Sequence, residues 1–353
     1  MIFLRKLLAL AFGLPVVVAA ADPDMIRLMM PDASGVLEIN IAKVAKSAIG
    51  SAMADAVHQG MTAQMQAELA KSRPELQGQL SAISNIDWIR DVQDVLIAGG
   101  PTVAGKPWAA LLIARTSLDA SRIAALNGFH GDRTEYEGVP LLVSAPPGNG
   151  VMAFLDNSIV VIGQMNDVKA AIHRRRDPVA LSGALSAEIA KYVQYDIWLA
   201  ATGIRIPQPA GRAAGSPAGA MMMQYFEKLT GVSFGLRLSP DFDLSATLEA
   251  RTDKAATELA QGIEWLSSSA RQQAKLAGKS GKELDSLKWE ANGRRVRVSL
   301  HVPEEQVRAG LKQMRTDQVR TGSTTRPSRP AAGTISVQSS EGTVTIPLDQ
   351  PHN

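Results

Sequence analysis

Cysteine is absent from the 353-residue chain. Its absence excludes disulfide bonds, thiolate nucleophiles, iron–sulfur clusters and cysteine-based zinc sites. Histidine is scarce as well, and no two of the five have the spacing of paired metal ligands on a helix: they are His58, His130, His173, His301 and His352. A zinc site would need ligands from distant segments, so we expect no metal and no cofactor.

We recognise no common catalytic motif in the sequence either. There is no His-Glu-x-x-His motif, and the glycine-rich stretch 211–219 lacks the Lys-Ser/Thr ending of a phosphate-binding loop. Within that stretch, "GSPAG" at 215–219 has its serine one place too early for a nucleophile elbow and no strand before it. We therefore expect a non-enzymatic protein.

Charge of one sign is not in large excess. The chain has 37 lysines and arginines against 34 aspartates and glutamates. Such a balance produces no overall field that would attract nucleic acid or an anionic membrane. We expect no nucleic-acid partner.

The N-terminus, "MIFLRKLLALAFGLPVVVAAADPD", has the layout of a secretory signal peptide. Arg5 and Lys6 precede an apolar run over 7–18 and three alanines, which predicts a signal peptide over 1–21 and Asp22 as the first mature residue. The alternative is an uncleaved anchor, but the apolar run is shorter than the ~20 residues that span a bilayer. We expect an exported protein, periplasmic or secreted, with no integral membrane span after signal cleavage.

Residues 22–91 are predicted to form a strand and a helical hairpin. The strand is "GVLEINI" at 35–41, and the following stretch 42–84 is rich in Ala, Met, Gln and Glu, with Pro74 separating two helices. One helical face carries a stripe of apolar residues every fourth position: Met53, Val57, Met61, Met65 and Leu69. This stripe is either an ordinary core face or the lining of an apolar ligand cavity, in which Met53, Met61 and Met65 would contact the ligand.

From residue 92 the pattern changes to pairs of strands followed by helices. A first half over 92–180 contains "VLIAGG", "WAALLIAR", "GVPLLVSA", "VMAFLD" and "SIVVIG", with helices at 118–126 and 167–175. A second half over 181–315 contains "YDIWLAATG", "VSFGLRL", "LSATLEA", "LKWEANG" and "RRVRVSLHV", with helices at 253–276 and 304–314. Turns this short join antiparallel strands.

The predicted fold is therefore α+β: two similar halves of antiparallel sheet with helices on one face, preceded by the helical hairpin. The Pro- and Gly-rich stretch 204–223 is predicted to be a loop insertion in the second half, able to act as a lid. Residues 316–353 are predicted to be a flexible tail that holds at most one short hairpin. We expect no cluster of ionisable side chains where the two halves meet.

Two strands of the second half alternate strictly between apolar and polar residues. In the strand at 295–302, Arg295, Arg297 and His301 lie on the polar side, which predicts a face open to solvent or to a partner. These three residues are the candidate partner-binding row, strengthened if Arg294 and Lys288 lie beside them. The helix at 253–276 is predicted to cover the apolar side with Leu259, Ile263, Leu266 and Ala270.

Two polar segments offer weaker candidates. "FHGDRTEYEG" at 129–138 is predicted to be a loop, and its Asp132 and Glu135 could supply the general base of a hydrolase under the 204–223 lid. "HRRRDP" at 173–178 is the densest basic run. Its cations either complement the end of a helix or form a patch for an anionic partner.

The unit "EYEGVPLLVSA…VMAFLDNSIVVIGQMNDVKAAI" resembles exported bacterial proteins of unknown function. The features shared are a Tyr-x-Gly strand at Tyr136, a Phe-x-Asp hairpin at Phe154 and a helix that opens with Asn-Asp-Val-Lys at Asn166. The resemblance covers 92–175, with a diverged echo over 195–314, and it implies export and a repeated α+β unit. It implies no active residue.

The sequence thus leads to one main functional expectation and two alternatives. We expect an exported envelope protein that binds a protein partner or a ligand through a sheet face or the groove between the halves. The alternatives are a periplasmic carrier of lipid or another hydrophobic ligand, and a hydrolase with its site in the 129–138 segment.

Overall fold

The fold is seen in a computed structural model of the protein. The structure describes residues 22–51, 88–100, 110–118, 121, 131–144, 150–156, 158–203, 224–225, 227–276, 284–312, 334–339 and 342–347. By their contacts, residues 1–307 form one compact unit and residues 308–353 a second. The signal peptide, the 204–223 loop, and most of the predicted helical hairpin, with Met53, Met61 and Met65, lie outside the described residues.

The first unit is built on one sheet of twelve strands, in which neighbouring strands pair antiparallel. The strands are β1 (Gly35–Asn40), β2 (Val92–Gly99), β3 (Ala110–Thr116), β4 (Gly131–Tyr136), β5 (Val139–Ser144), β6 (Gly150–Phe154), β7 (Ile159–Gln164), β8 (Ile197–Thr202), β9 (Leu229–Arg237), β10 (Phe242–Ala250), β11 (Lys288–Asn292) and β12 (Arg295–Val302). Their order across the sheet is β11-β12-β10-β9-β8-β1-β2-β3-β7-β6-β5-β4.

The helices connect or cover these strands. They are α1 (Pro23–Arg27), α2 (Ile41–Lys46), α3 (Trp88–Asp91), α4 (Met165–Arg176), α5 (Gly183–Tyr192) and α6 (Asp253–Leu276), followed by α7 over 304–312. In the second unit, β13 (Thr334–Ser339) and β14 (Gly342–Pro347) form an antiparallel hairpin. The predicted α+β class with a large antiparallel sheet is confirmed.

The N-terminal strand β1 joins the two predicted halves. It pairs with β2 on one side and with β8 on the other, so that Glu38 lies opposite Leu96 in one strand and Trp198 in the other. The two halves therefore meet edge to edge in one sheet and do not stack face to face. We call the line along β1 the seam.

The chain winds through the sheet in a similar way on each side of the seam. From β3 it passes to β4 at one edge of the sheet and returns inward to β7, which pairs with β3. From β10 it passes through α6 to β11 at the other edge and returns to β12, which pairs with β10. The winding fits an internal duplication, which itself remains a prediction.

The largest buried cluster lies on the front face of the sheet, a second lies on the back face of the second half, and a small third one, with Leu142, Phe154 and Val160, lies on the back face of the first half. On the front face, defined by Val36, Leu96 and Trp198, helices α1, α4 and α5 pack with the central strands and with β3, β5, β6 and β7 in one large cluster. On the back face, α6 packs with β9, β10 and β12 through Leu259 and Val296 in a second cluster. Within the second half, α5 still covers β8 on the front face, whereas α6 covers β9, β10 and β12 on the back face.

The structure differs from the sequence predictions at several places, among them helices α1 and α3, which were not predicted. Residues 131–136 form edge strand β4, not a loop. Helix α4 begins at Met165, after Gln164, and not after Asn166. Helix α5 was not predicted. On α6, Leu266 is 51% exposed and Ala270 is also exposed, because the covered face turns toward the buried Ser267.

Candidate functional site

The front face changes from apolar to polar between β8 and β9. Along one row of paired residues, the buried Trp198 is followed by Gly235, Ser245, Ser299 and Lys288. Because side chains alternate between the faces of a strand, whole rows of this kind share one surface. We call the front-face side chains of β9–β12 the polar face.

A parallel row carries the same change. The buried Ala200 is followed by Ser233, Thr247, Arg297 and Glu290. The solvent-exposed side that alternation predicted for β12 is confirmed. Arg295, Arg297, Ser299 and His301 are exposed, whereas Val296 and Val302 are buried. The second half therefore turns polar side chains outward where the first half carries a helix-covered core.

The polar face forms the floor of an open groove whose wall is the end of α5. Its volume is about 830 Å³. We call it the polar groove, and its polar lining residues are Lys191, Tyr192, Ser245, Thr247, Lys288, Glu290, Arg297 and Ser299. A smaller hollow of about 200 Å³ continues from it along Glu290 and Arg297 to Asn292 and Arg295.

Helix α5 is fixed against the polar face by hydrogen bonds between side chains. The Tyr192 hydroxyl lies 2.9 Å from the Thr247 hydroxyl, and the Ser233 hydroxyl donates to Glu188 at 3.2 Å. The Ser182 hydroxyl accepts from the Leu185 amide at the start of the helix. Burial raises the pKa of Tyr192, so this hydroxyl keeps its proton and remains a hydrogen-bonding group.

The three predicted basic residues share the polar face but have different surroundings. His301 is bound by Asp243, with Nδ1 and Oδ1 2.7 Å apart, and this hydrogen bond raises the pKa of His301. Arg295 lies 4.0 Å from Glu249. Arg297 lies in the groove, level with Thr247 on one side and Glu290 on the other.

Of the two residues expected to strengthen the row, one does so. Lys288 also lines the groove, opposite Ser299. Arg294 lies in the turn between β11 and β12, next to Arg295. In the part of the chain that the structure describes, neither Lys288 nor Arg297 forms an ion pair, so both cations are available to a partner.

A second polar feature was missed by the sequence analysis. Glu38 lies on the front face of seam strand β1 and is only 4% exposed. Burial, and then the nearby Asp94, raise its pKa from 4.5 to about 7, against a hydrogen bond from Trp198 and the charge of Lys43. Its Oε2 atom is buried without a hydrogen-bond partner.

Two more carboxylates lie close to this group. Burial raises the pKa of Asp94, and Lys43 opposes the shift. Asp196 has its Oδ1 3.8 Å from the Lys43 ammonium and accepts a hydrogen bond from the Leu238 amide at 2.8 Å. The expectation of no ionisable cluster at the seam was therefore wrong.

The sequence gives a physical reason for missing Glu38. In "GVLEINI", Leu37 and Ile39 alternate with Glu38 and Asn40, which favours a strand with its leucine and isoleucine side buried. The structure buries Val36 and Glu38 more deeply instead, because β1 is a central strand and the large cluster packs against that side. A central strand covered on both faces gives no reliable alternation.

The hydrolase candidate does not gather into a site among the described residues. Asp132 and Glu135 are exposed on edge strand β4 and, three residues apart, point to opposite faces. Glu137 lies in the turn after β4 and binds Arg176 at 2.8 Å. His130 lies outside the described residues.

A Gly-x-Ser-x-Gly pattern does occur in the chain, as "GVSFG" at 231–235, which the sequence analysis overlooked. Ser233 lies in the middle of strand β9 and is 3% exposed. A nucleophile elbow requires a sharp strand-to-helix turn with an exposed hydroxyl. The pattern therefore does not form such an elbow here.

The basic run at the end of α4 is used within the protein. Arg174 donates to the Leu28 carbonyl at 3.1 and 2.8 Å, Arg175 bonds Asp156 and the Leu155 carbonyl, and Arg176 bonds Glu137. His173 lies 2.8 Å from the Tyr136 hydroxyl. The run therefore ties α4 to its surroundings and presents no row of unpaired cations.

Two kinds of feature are absent from the described residues. Within them, no three His, Asp or Glu residues are placed to hold a metal ion. No helix in these ranges is long and apolar enough to cross a membrane.

Comparisons with known proteins give little. No family model matches the chain, and no curated protein matches it. Two solved structures, crystal forms I and III of TP0453, are 10% identical and have TM-scores of 0.43 and 0.46. Each covers 82% of this chain, and the matches span 96% and 98% of the TP0453 chains. Likeness at this level carries no information on the function of this protein.

Proposed function

We propose that the protein is an exported, non-enzymatic binding protein that takes an acidic segment of a protein partner into the polar groove. The observation that carries the proposal is the front face itself, which is helix-covered from β8 across the first half and is open, polar and concave over β9–β12. Export is supported by the N-terminal sequence.

The charges of the groove favour an acidic partner. Its lining contains three cations, Lys191, Lys288 and Arg297, against one carboxylate, Glu290. Lys191 is held by Glu188 at 2.6 Å, which leaves Lys288 and Arg297 as the cations that a partner can pair with. Complementary charge of this kind directs partner choice and speeds encounter.

The shape and polarity of the groove favour a polypeptide segment. Small-molecule sites are mostly enclosed, whereas this groove is open. Its lining combines four hydroxyl groups and charged residues with the apolar Ala246, Leu287, Trp289 and Val298, a mixture that suits a polypeptide segment. The groove also ends at edge strand β11, whose outer side pairs with no described strand. An extended peptide can add to such an edge and place its side chains over the neighbouring strands.

A wholly apolar ligand would leave the charged side chains Lys288, Glu290 and Arg297 of the groove without polar partners. The carrier hypothesis depends on Met53, Met61 and Met65, which lie outside the described residues, so no contact of theirs supports it. A polar groove instead provides hydroxyl and ammonium donors, which suit carboxylates and peptide carbonyls.

The test uses a short fluorescein-labelled peptide of alternating Glu and Ser, with fluorescence anisotropy as the readout. The double variant Lys288→Glu, Arg297→Glu should bind at least about 10-fold more weakly than the native protein, because attraction is replaced by repulsion. Binding to the native protein should also weaken as salt rises.

The matched control is Arg133→Glu, which reverses an exposed arginine on the opposite edge strand, β4. It should leave the affinity unchanged within about twofold. Equal binding by the native protein and the double variant would contradict the proposal. So would equal binding of a Gln/Ser peptide, or binding only to anionic vesicles.

A further inference from the structure

The seam contains an unusual combination of burial and charge. Glu38 is 4% exposed, and one of its two carboxyl oxygens is buried without a hydrogen-bond partner. An ionised carboxylate in such a place is costly, because burial removes the water that would stabilise its charge. The protonated form avoids most of this cost.

The neighbours of Glu38 do not supply enough positive charge to offset ionisation. From β2 comes Asp94, from β8 the uncharged Trp198, and from α2 the single cation Lys43. Lys43 also faces Asp94 and lies 3.8 Å from Asp196, which comes just before β8. Three carboxyl groups thus share one ammonium group.

The position of Glu38 gives its ionisation a structural consequence. Strand β1 is the only described connection by strand pairing between the two sides of the sheet, since it alone pairs with both β2 and β8. Helix α2 follows β1 directly and carries Lys43. A charge that appears at Glu38 therefore acts where the two halves and α2 meet.

We propose that the protonation of Glu38 controls the pairing of β1 with its neighbouring strands. With the proton bound, β1 holds the two halves firmly together, and loss of the proton loosens the pairing. This control by protonation is independent of whether the polar groove binds an acidic segment. It makes the coupling of the two halves depend on the acidity of the surroundings.

Hydrogen exchange read by mass spectrometry on the full-length protein tests this directly. Protection of the β1 amides, corrected for the intrinsic effect of pH on exchange, should fall about 10-fold or more between about pH 6 and about pH 8. The β6 and β7 amides, far from the seam in the first half, should keep their protection.

Two variants sharpen the result. Glu38→Gln keeps the shape of the protonated group and cannot ionise, so β1 protection should become independent of pH. Glu264→Gln removes an exposed carboxyl on α6, outside the polar groove, and should behave as the native protein does. Equal β1 protection at both pH values in the native protein overturns the proposal without reference to any variant, as does a persisting fall in Glu38→Gln.

Discussion

The two halves of the sheet use the same face in opposite ways. In the first half, Ile113 and Val161 lie on the front face, fully buried in the cluster that α1 and α4 form with the sheet. In the second half, the equivalent surface carries Ser299 and Arg297, which are exposed, and the core moves to the other face under α6. A shared order of strands therefore does not determine which face becomes the core. The position of the helices does.

The difference follows from which residues occupy alternate positions. In β3, both alternating sets are apolar, so both faces can be covered. In β12, one set is charged or polar and only the other can be buried. A helix placed on the polar set would have to desolvate arginine side chains, at a cost that few contacts offset.

The test of this comparison with the largest expected effect replaces one front-face residue in each half. Ile113→Ala should lower the free energy of unfolding by about 3 to 4 kcal/mol, since it leaves a cavity in the front-face cluster. Ser299→Ala should change it by less than about 0.5 kcal/mol. Chemical denaturation of both variants measures these values, and similar losses would show that the second front face is also part of a core.

A slightly smaller effect on the free energy of unfolding is expected from the ionisation of Glu38 at the seam. Glu38 releases its proton at an ordinary pKa of 4.5 in the unfolded chain and at about 7 in the folded protein. Between these values the folded state binds more protons, so the contribution of Glu38 is complete below 4.5, falls as pH rises, and is lost above about 7. The total is on the order of 3 kcal/mol.

Denaturation curves recorded across this pH range should therefore show a falling stability that Glu38→Gln removes. Asp94→Asn should move the fall to lower pH, because it removes the neighbouring carboxyl that helps to raise the pKa of Glu38. A native stability that rises from pH 4.5 to about 7 would contradict the assignment.

Much of the fold could be predicted from local patterns. The helix at 253–276 has the predicted bounds, and all ten strands predicted between 92 and 302 occur, because their alternation and short turns are local properties. Strand β4 was taken for a loop since its residues are polar on both sides, as an exposed edge strand allows. The short helix α5 was missed although its sequence carries a local signal, the N-cap Ser182 followed by Leu185, Ile189 and Tyr192 at helical spacing.

The candidate site also contains some residues that local patterns predict and others that they do not. Arg297 was found because exposure on a one-sided strand can be read from alternation, whereas Lys288 was named only as a residue that would strengthen the row if it lay beside it. Tyr192, the wall of the groove and the cluster around Glu38 could not be found, because they depend on which distant segments pack together. Burial of Glu38 results from the central position of β1 in the sheet, which no short stretch of sequence encodes.

The most direct measurement of the central claim is a hydrogen-exchange footprint of the acidic Glu/Ser peptide on the full-length protein. We expect added protection in β10, β11, β12 and the end of α5, around the polar groove, and none in β3, β6 or β7. Protection confined to the first half, or spread equally over both, would contradict the assignment of the second front face as the binding surface.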